Sequence, residues 1–387
     1  SNNLLELLVN FHHNHHKMKK LLNTSLFLFL TVIIVQANDD KSVLTANFIT
    51  GDPGIESISA ITFGPQGILF LGDSQGAAII AIDTKDTKPI DGGKEVQMDN
   101  IDEQVAAVMG TTSKDIMILD MAVNPVSKSI YLAVQKKDGM PALLKLSAGK
   151  LMPVALNPAS YSKVSLSNPV AEDAKDRRGR SQRKWAVSDI GFYDNKVLVT
   201  GLSNQEFSST FRSIAFPFEQ KQVHASIEIY HAAHGRYETY APVKTFMPYV
   251  LNGAPHIIAS YTCTPLVVFP LDQLKGGQHV KGKTVAELGN RNTPLDIISF
   301  SKEGKEYLLL ANSNRALMKI SVEEIAAWKD SLTEPVEGNS ETAGVDFLAM
   351  PYVNVLQMDK LDNEHVVMIQ RTAEGDLNLS TIAPNRL

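Results

Sequence analysis

Thr293-Pro-Leu-Asp-Ile-Ile-Ser-Phe-Ser-Lys-Glu-Gly-Lys-Glu-Tyr-Leu-Leu-Leu-Ala-Asn-Ser-Asn-Arg-Ala-Leu-Met-Lys-Ile320 consists of three apolar runs that are separated by two polar turns. Looser copies of this pattern run from Ile58 to Asp83, from Leu119 to Leu146 and from Ser188 to Phe216. Short apolar runs bounded by turn residues are typical of β-strands, so each copy predicts a three-stranded meander. Recurrence of one meander along the chain predicts a repeat fold.

The strand-like runs group in fours, which predicts an all-β fold: a β-propeller of six blades, each a four-stranded antiparallel sheet. The last blade has only three such runs. The segment Val43–Ile49 offers a spare run, and we expect it to pair with Leu377–Ile382 and close the ring, because an open sheet edge is unfavourable. Val105–Met109 is predicted to be the outer strand of the first blade. Seven blades are the alternative, with the additional blade in 83–104 or 320–346.

The motif Pro294-Leu-Asp-Ile…Gly304-Lys…Leu310-Ala-Asn-Ser…Met318-Lys-Ile resembles the repeats of the NHL, YVTN and paraoxonase/lactonase-like group of propellers. The resemblance extends in degenerate form over most of 43–387 and is at the level of a superfamily. It implies the propeller architecture but no particular chemistry. Enzymes of that group hold calcium in the central channel, so the resemblance makes Ca²⁺ a candidate cofactor.

Composition limits the classes of partner. The chain has 387 residues, 44% of them hydrophobic and 20% charged, and a formal net charge of −5. A large core can therefore be buried, and an acidic protein without a long basic stripe is not expected to bind nucleic acid. The sequence has no Gly-x-Ser-x-Gly elbow and no phosphate-binding loop.

The pattern of the first 37 residues predicts a targeting segment. We take residues 1–17 as an upstream extension outside the native fold and 18–37 as a signal peptide, with a basic Met18–Lys20, an apolar Leu26–Val35 and a small residue at Ala37. Residues 38–387 are then a single propeller domain. The apolar run is too short to span a bilayer comfortably, so we expect no membrane-spanning segment after cleavage. Export without a disulfide, since Cys263 is the only cysteine, suits the bacterial periplasm or the extracellular medium.

One polar position recurs on the inner strands. Counting back from the first turn gives Ser59, Asp120, Asp189, Asp296 and Asn354 in five of the blades, while blade four departs from the pattern with Phe246-Met247. Carboxylate and amide oxygens suit Ca²⁺, so the three aspartates and Asn354 are candidate calcium ligands. The other interpretation is structural: each Asp accepts backbone N–H bonds from the neighbouring blade.

A second candidate metal site combines His231, His234 and Cys263. The two histidines follow an outer strand, and Cys263 lies in a turn of the next blade. Imidazole and thiolate suit a soft or borderline transition metal. Loop histidines without a metal are the simpler interpretation, and a lone cysteine is more often a small buried apolar residue.

A basic insertion stands out between blades two and three. It runs from Asp173 to Lys184 and ends at Trp185. Connections of this kind lie on the face with the channel mouth, so the insertion predicts a site for an acidic ligand or protein partner. A mobile, solvated loop is the alternative. The candidate ligand-binding residues there and at same-face turns of other blades are Arg177, Arg178, Arg180, Arg183, Trp185, Asn314, Arg315 and Arg371.

Two functions remain open from the sequence. The first is an exported propeller without catalytic activity that binds an unknown protein or a small acidic ligand at the channel mouth. The second is a calcium-dependent hydrolase of the lactonase or esterase type, in which Asp120, Asp189, Asp296 and Asn354 hold the ion and His231 or His234 acts as a general base.

Overall fold

The computed structural model describes residues 43–90, 95–219, 221–338, 340–363 and 365–387. The chain divides into two units, Ser1–Asn47 and Phe48–Leu387. In the first unit the described residues, 43–47, are helical or in a turn. The predicted upstream extension and signal peptide lie outside the described residues. The second unit contains six small, mainly antiparallel sheets.

The strands follow the predicted apolar runs closely from the second blade onward. The first fourteen in chain order are β1 Ile49–Gly51, β2 Ala60–Phe63, β3 Ile68–Asp73, β4 Ala78–Asp83, β5 Gln97–Met98, β6 Ile116–Val123, β7 Ile130–Lys136, β8 Pro141–Ser147, β9 Lys150–Val154, β10 Ala159–Ser165, β11 Asp189–Tyr193, β12 Lys196–Leu202, β13 Ser209–Ala215 and β14 Gln222–His231.

The remaining described strands complete the later blades. They are β15 Arg236–Glu238, β16 Thr245–Leu251, β17 Ala254–Ser260, β18 Pro265–Pro270, β19 His279–Lys281, β20 Lys283–Glu287, β21 Pro294–Lys302, β22 Lys305–Asn312, β23 Met318–Ser321, β24 Ala343–Gly344, β25 Phe347–Ala349, β26 Val355–Lys360, β27 Val366–Arg371 and β28 Leu377–Ile382. The α-helices are α1 Ile101–Val108 and α2 Val322–Ala327.

Six four-stranded blades make up the propeller, as predicted. From inner to outer strand, blade 1 is β2–β3–β4–β10, blade 2 is β6–β7–β8–β9 and blade 3 is β11–β12–β13–β14. Blade 4 is β16–β17–β18–β20, blade 5 is β21–β22–β23–β25 and blade 6 is β26–β27–β28–β5. Short strands extend three blades at their outer edges: β1 on blade 1, β15 and β19 on blade 3, and β24 on blade 4.

The order of the blades around the ring differs from their order in the chain. The inner strands contact one another in the cycle β2, β11, β16, β21, β26, β6 and back to β2. Blade 2 therefore lies between blades 1 and 6. Apolar clusters at these boundaries support this order, since Leu132 and Val134 of blade 2 pack with Val367 and Ile369 of blade 6. Burial between neighbouring blades, rather than within one sheet, forms the core of such a ring.

Closure of the ring is where the prediction is wrong. Strand β28 does not pair with Val43–Ile49; its outer neighbour is β5, with Leu379 opposite Met98. Of the predicted closing segment only Ile49 lies in a strand, and it pairs with Tyr161 of β10. Two blades are thus completed by strands from distant parts of the chain, β10 in blade 1 and β5 in blade 6, and both cover what would otherwise be an open edge.

The predicted outer strand Val105–Met109 is also wrong, because these residues belong to α1 and its C-cap. Ile101 and Val105, four residues apart, are both fully buried, which is the spacing of one helix face. The helix is attached to blade 6 through Asp102, whose side chain accepts a hydrogen bond from the Leu377 N–H at 3.0 Å. Neither α-helix in the described chain approaches the length or apolar character that crossing a bilayer requires.

Candidate functional site

The basic insertion lies in the connection from β10 to β11. Its tip is folded around Asp176, whose Oδ1 accepts hydrogen bonds from the backbone N–H of Arg178 and Arg180. The other oxygen accepts from the Arg180 guanidinium at 2.7 Å. The backbone N–H and then the side chain of Arg180 lower the pKa of Asp176 to about 2. The tip is therefore a hydrogen-bonded turn that presents arginine side chains to solvent.

Arg183, by contrast, anchors the insertion. It is only 7% exposed, and its guanidinium donates to the Gln75 carbonyl at 2.8 and 3.1 Å and to the Val170 carbonyl at 2.7 Å. The Gln75 carbonyl belongs to a turn of blade 1, and the Val170 carbonyl belongs to the segment just before the insertion. This predicted ligand-binding residue does not line the pocket described next.

A pocket of about 860 Å³ opens beside the insertion, and we call it the basic pocket. Only two carboxylates line it, Asp176 and Glu238, and each of them pairs with an arginine of the pocket. Trp185 and Tyr240 supply aromatic surface. Its cationic lining residues outnumber the acidic ones by seven to two; they are Lys175, Arg177, Arg178, Arg180, Lys184, Arg236 and Lys244.

Lys244 is the cation held most deeply in this pocket. Its Nζ lies 3.4 Å from the centroid of the Trp185 ring, and the Nζ of Lys184 lies 5.2 Å from the same centroid. Burial, followed by the charges of Lys184 and Arg180, lowers the pKa of Lys244 to about 8. Among the described residues Lys244 has no ion-pair partner, so part of its stabilisation comes from the face of the indole ring.

The wall opposite the insertion carries the histidine cluster. His231 ends β14, His234 lies in the 3₁₀ turn Ala232–His234, and Glu238 lies in β15. The turn reverses the chain so that β15 pairs with the end of β14. Glu238 Oε2 is 2.9 Å from His231 Nδ1, and its Oε1 is 2.7 Å from His234 Nδ1. Burial acts to raise the pKa of Glu238, but the bonds and charges of the two histidines outweigh it and lower the pKa to about 2.

Cys263 meets the histidines from blade 4. It lies in the turn between β17 and β18. Burial of the thiol is the main cause that raises the pKa of Cys263, and the charges of Glu287 and Glu238 add to the effect. Its Sγ and one ring nitrogen of each of His231 and His234 all lie within 4.8 Å of one another. The structure therefore brings the predicted trio together.

The recurrent aspartates of the inner strands face the central channel. Asp120, Asp189 and Asp296 line a cavity of about 230 Å³ there. Asp120 Oδ2 accepts the Ile61 N–H of blade 1 at 2.7 Å. In the same way Asp189 accepts Phe246 N–H of blade 4 at 2.8 Å, and Asp296 accepts Met358 N–H of blade 6 at 2.6 Å. Each carboxylate thus links its blade to the next blade in the ring.

Blade 6 contributes a different residue to the channel from the one predicted. Asn354 is exposed and lies outside the channel cavity, whereas Asp359 lines it and accepts the Val123 N–H of blade 2 at 2.7 Å. Asn354 precedes β26, which begins at Val355 and continues to Lys360, two residues beyond the end expected from the apolar run.

Burial raises the pKa of all four channel carboxyls. Burial raises the pKa of Asp189 to about 7 and that of Asp359 to about 6. It raises the pKa of Asp120 and Asp296 further, and repulsion adds to the shift, from Asp189 at Asp120 and from Asp120 at Asp296.

The other predicted ligand-binding residues are spread over separate turns. Asn314 donates to the Arg291 carbonyl, and Arg315 donates to the Asn290 carbonyl. Arg371 donates to the Gly375 carbonyl. None of the three lines the basic pocket.

Sequence reasoning did not identify Arg236 and Lys244 as pocket residues. Both lie outside the insertion, and neither is part of a charge run. The sequence did contain one signal. Arg236 and Lys244 follow β14 on a connection to the next inner strand, and connections of this type are expected on the face with the channel mouth, as for the insertion.

The comparisons with known proteins concern the fold only. No family model matches the sequence, and no curated protein matches it. Solved structures with a similar course of the chain include Drosophila plexin A in complex with semaphorin 1b, at 9% identity and a TM-score of 0.36 over 87% of this chain and 88% of that one.

Two further solved structures match this chain over most of their own length. One is a putative oxidoreductase (glucose dehydrogenase) from Thermus thermophilus, at 10% identity and a TM-score of 0.30 over 87% of this chain and 100% of that one. The other is a GH43 endo-arabinanase from Bacillus licheniformis, at 13% identity and a TM-score of 0.35 over 68% of this chain and 92% of that one. At such scores these matches say nothing about what this chain binds.

Proposed function

We propose that this protein is an exported propeller without catalytic activity that binds a small ligand carrying two or more acidic groups in the basic pocket. Export rests on the predicted signal peptide. The observation that carries the binding proposal is the excess of cations in one concave pocket of a protein whose net charge is −5.

The charges of the pocket favour an anion because most of them have no partner. Of its seven cationic residues, only Arg180 and Arg236 form ion pairs among the described residues. Holding several like charges together costs free energy, which an anionic ligand would offset. Arginine side chains at the rim suit bidentate contacts with carboxylate or phosphate, and the Trp185 ring offers a flat apolar surface.

The shape of the site favours a small ligand over a protein surface. A concave pocket of about 860 Å³ falls within the range of sites for small molecules, roughly 300–1,000 Å³, whereas protein partners usually dock on flatter surfaces.

The hydrolase alternative has weaker support. Its candidate calcium ligands Asp120, Asp189 and Asp296 line the channel cavity, while His231 and His234, the candidate general bases, line the basic pocket. A base and a metal ion must meet at the same reacting bond, and no described cavity contains residues of both sets. It stays a prediction that rests on the resemblance to lactonase-like propellers.

Calorimetric titration of the full chain with citrate and with inorganic phosphate tests the proposal. The test variant is Arg177→Ala/Arg178→Ala/Lys184→Ala, whose three side chains are exposed in the pocket. We expect the native protein to bind citrate and the variant to bind it at least tenfold more weakly, because charge-assisted hydrogen bonds contribute about 1.5–3 kcal/mol each.

The matched control is Lys114→Ala/Lys275→Ala/Lys329→Ala. It removes the same charge from exposed positions outside the pocket and should bind citrate like the native protein. If neither anion binds the native protein, or if both variants lose affinity equally, the pocket is not the binding site and the proposal is wrong.

A further inference from the structure

We propose that His231, His234 and Cys263 bind one divalent metal ion of the zinc type. Two imidazoles and one thiolate are a donor set that suits zinc. On a tetrahedral ion with bonds of 2.0–2.3 Å, neighbouring donor atoms are roughly 3.3–3.6 Å apart. One ring nitrogen of each histidine and the Cys263 Sγ already lie within 4.8 Å of one another, and His234, whose side chain is 40% exposed, has room to close the remaining distance.

Glu238 determines which nitrogen of each histidine is available. A carboxylate can only accept hydrogen bonds, so the Nδ1 atoms of His231 and His234 that contact Glu238 must carry their protons. In a neutral imidazole the lone pair is then on Nε2. Metal-binding histidines almost always donate their other ring N–H in this way, to a carboxylate or carbonyl that fixes the ring. Here one buried carboxylate fixes both rings.

The Nε2 atom of His231 has no hydrogen-bond partner among the described residues. The side chain is only 2% exposed, so bulk water has little access to this atom and cannot readily supply the missing hydrogen bond. A buried acceptor without a partner is unfavourable and is uncommon in native proteins. A metal ion at this point would use the lone pair, which gives the unpartnered atom a function.

The backbone at Cys263 points to the same conclusion. Cys263 and Thr264 have φ values of 69° and 57°, a left-handed conformation that is unfavourable for a β-branched residue such as Thr264. Three hydrogen bonds help to hold the turn: Cys263 N–H donates to the Asn292 carbonyl at 2.7 Å, Thr264 N–H to the Tyr261 carbonyl at 2.8 Å and Thr264 Oγ1 to the Gly289 carbonyl at 2.7 Å. Strained backbone of this kind is concentrated at functional sites.

The site also has an open side. His231 and His234 line the basic pocket, so the fourth coordination position of a tetrahedral ion would face it. A zinc ion with three protein ligands keeps one exchangeable position that a ligand can enter, in contrast to the closed four-ligand sites that only stabilise a fold. An oxygen of the acidic ligand would occupy that position, and this last step alone rests on the proposed function.

Titration of the chelator-treated full chain with Co²⁺ under reducing conditions tests the metal site. Cobalt bound to a thiolate gives a charge-transfer absorption band, and Cys263 is the only cysteine in the sequence. The band therefore reports this site alone, even though His12, His13, His15 and His16 could also bind metal. We expect the band to saturate at one equivalent and Zn²⁺ to abolish it by displacing cobalt, since zinc binds such donors more tightly.

Variants distinguish a metal site from a chance arrangement. Cys263→Ser should abolish the band, and His234→Ala should weaken cobalt binding at least tenfold with little effect on folding because the side chain is partly exposed. Glu238→Gln, which changes no ligand, should weaken it about 10–100-fold. The control is His256→Ala, at a half-buried histidine outside the trio whose ring contacts the Ala254 carbonyl, and this variant should bind cobalt like the native protein.

Three results would overturn the metal site: no thiolate band in the native protein, an unweakened band in His234→Ala, or a band that excess Zn²⁺ does not displace. The Arg177→Ala/Arg178→Ala/Lys184→Ala variant should keep full cobalt affinity. Citrate binding without cobalt binding would remove the metal site and leave the proposed function intact, while the reverse result would do the opposite.

Discussion

The central channel and the basic pocket each collect charges of one sign, but they satisfy those charges differently. In the channel, Asp120, Asp189, Asp296 and Asp359 each accept a backbone N–H from the next blade. In the pocket, Arg180 pairs with Asp176. Among the described residues, the side chains of Lys244 and of the other exposed arginines of the insertion have no backbone carbonyl or carboxylate as a partner.

This difference separates a structural cluster from a binding cluster. Backbone donors fix the channel carboxylates in place and use them to join blades, so removal of one should affect folding. The pocket cations other than Arg180 and Arg236 form no ion pair among the described residues, so removal of one should affect ligand binding and leave folding nearly unchanged. The contribution of each cluster to folding can be measured as a free energy of unfolding.

The largest effect is expected for Asp296→Ala. The change leaves the N–H groups of Met358 and Ile297 without their acceptor. Unsatisfied buried groups cost about 1–3 kcal/mol each, and relief of the repulsion with Asp120 offsets part of the loss, so we expect the free energy of unfolding to fall by about 2–4 kcal/mol. Urea denaturation measures it, with the exposed Asp346→Ala as control. A loss equal to that of the control would contradict the structural interpretation.

The pH dependence of stability should show an intermediate effect. The pKa of Asp189 is about 7 in the folded protein, against about 3.9 in an unfolded chain. Between these values the folded protein holds a proton that the unfolded chain releases, so this group makes stability fall as pH rises from about 4 to about 7.

Asp189→Asn should flatten that decline by at most about 1.4 kcal/mol per pH unit, the value for one proton. Urea denaturation at several pH values from 5 to 7 measures the slope. Groups of opposite effect, such as His224 with a pKa lowered to about 4 by burial, are shared by both proteins and cancel in the difference. Parallel curves for the native protein and the variant would show that Asp189 is not protonated in this range. Asp272→Asn, at an exposed position, serves as control.

The smallest effect on folding is expected in the pocket. Arg177→Ala/Arg178→Ala removes two exposed cations and should change the free energy of unfolding by no more than about 0.5 kcal/mol. Arg183→Ala in the same insertion is the contrast, because it removes three hydrogen bonds to the carbonyls of Gln75 and Val170 and should cost about 1–3 kcal/mol. Equal losses in the two variants, measured by urea denaturation, would erase the distinction between anchor and binding residues.

Local sequence pattern was sufficient where structure is local. The apolar runs of blades 2 to 6 became strands close to their predicted bounds, because alternation and flanking turns determine a strand over a few residues. For the repeated Asp of Pro294-Leu-Asp-Ile, the sequence offered both a calcium ligand and a link to the backbone of the neighbouring blade, and the structure contains the backbone link. The sequence also grouped the histidines with Cys263, and the structure brings them together.

The pairing of strands that are far apart in the chain could not be predicted from the sequence. The two-residue strand Gln97–Met98 has no pattern of its own, and it forms because β28 presents an unpaired edge to it. The position of blade 2 between blades 1 and 6 follows from which apolar faces meet, and all the inner strands have similar apolar faces. Composition also could not separate Arg183, an anchor, from Arg177, a pocket residue, since burial alone distinguishes them.

The sequence by itself thus determined the type of fold and the chemical character of the insertion, and it favoured six blades over seven, since these depend on residue type and short-range periodicity. The tertiary structure decided how the ring closes, which carboxylates meet in the channel, and that Lys244 and Glu238 line one pocket together with the insertion. Those features depend on contacts between residues far apart in the chain, where the burial of one surface against another selects the partners and a short stretch of sequence does not.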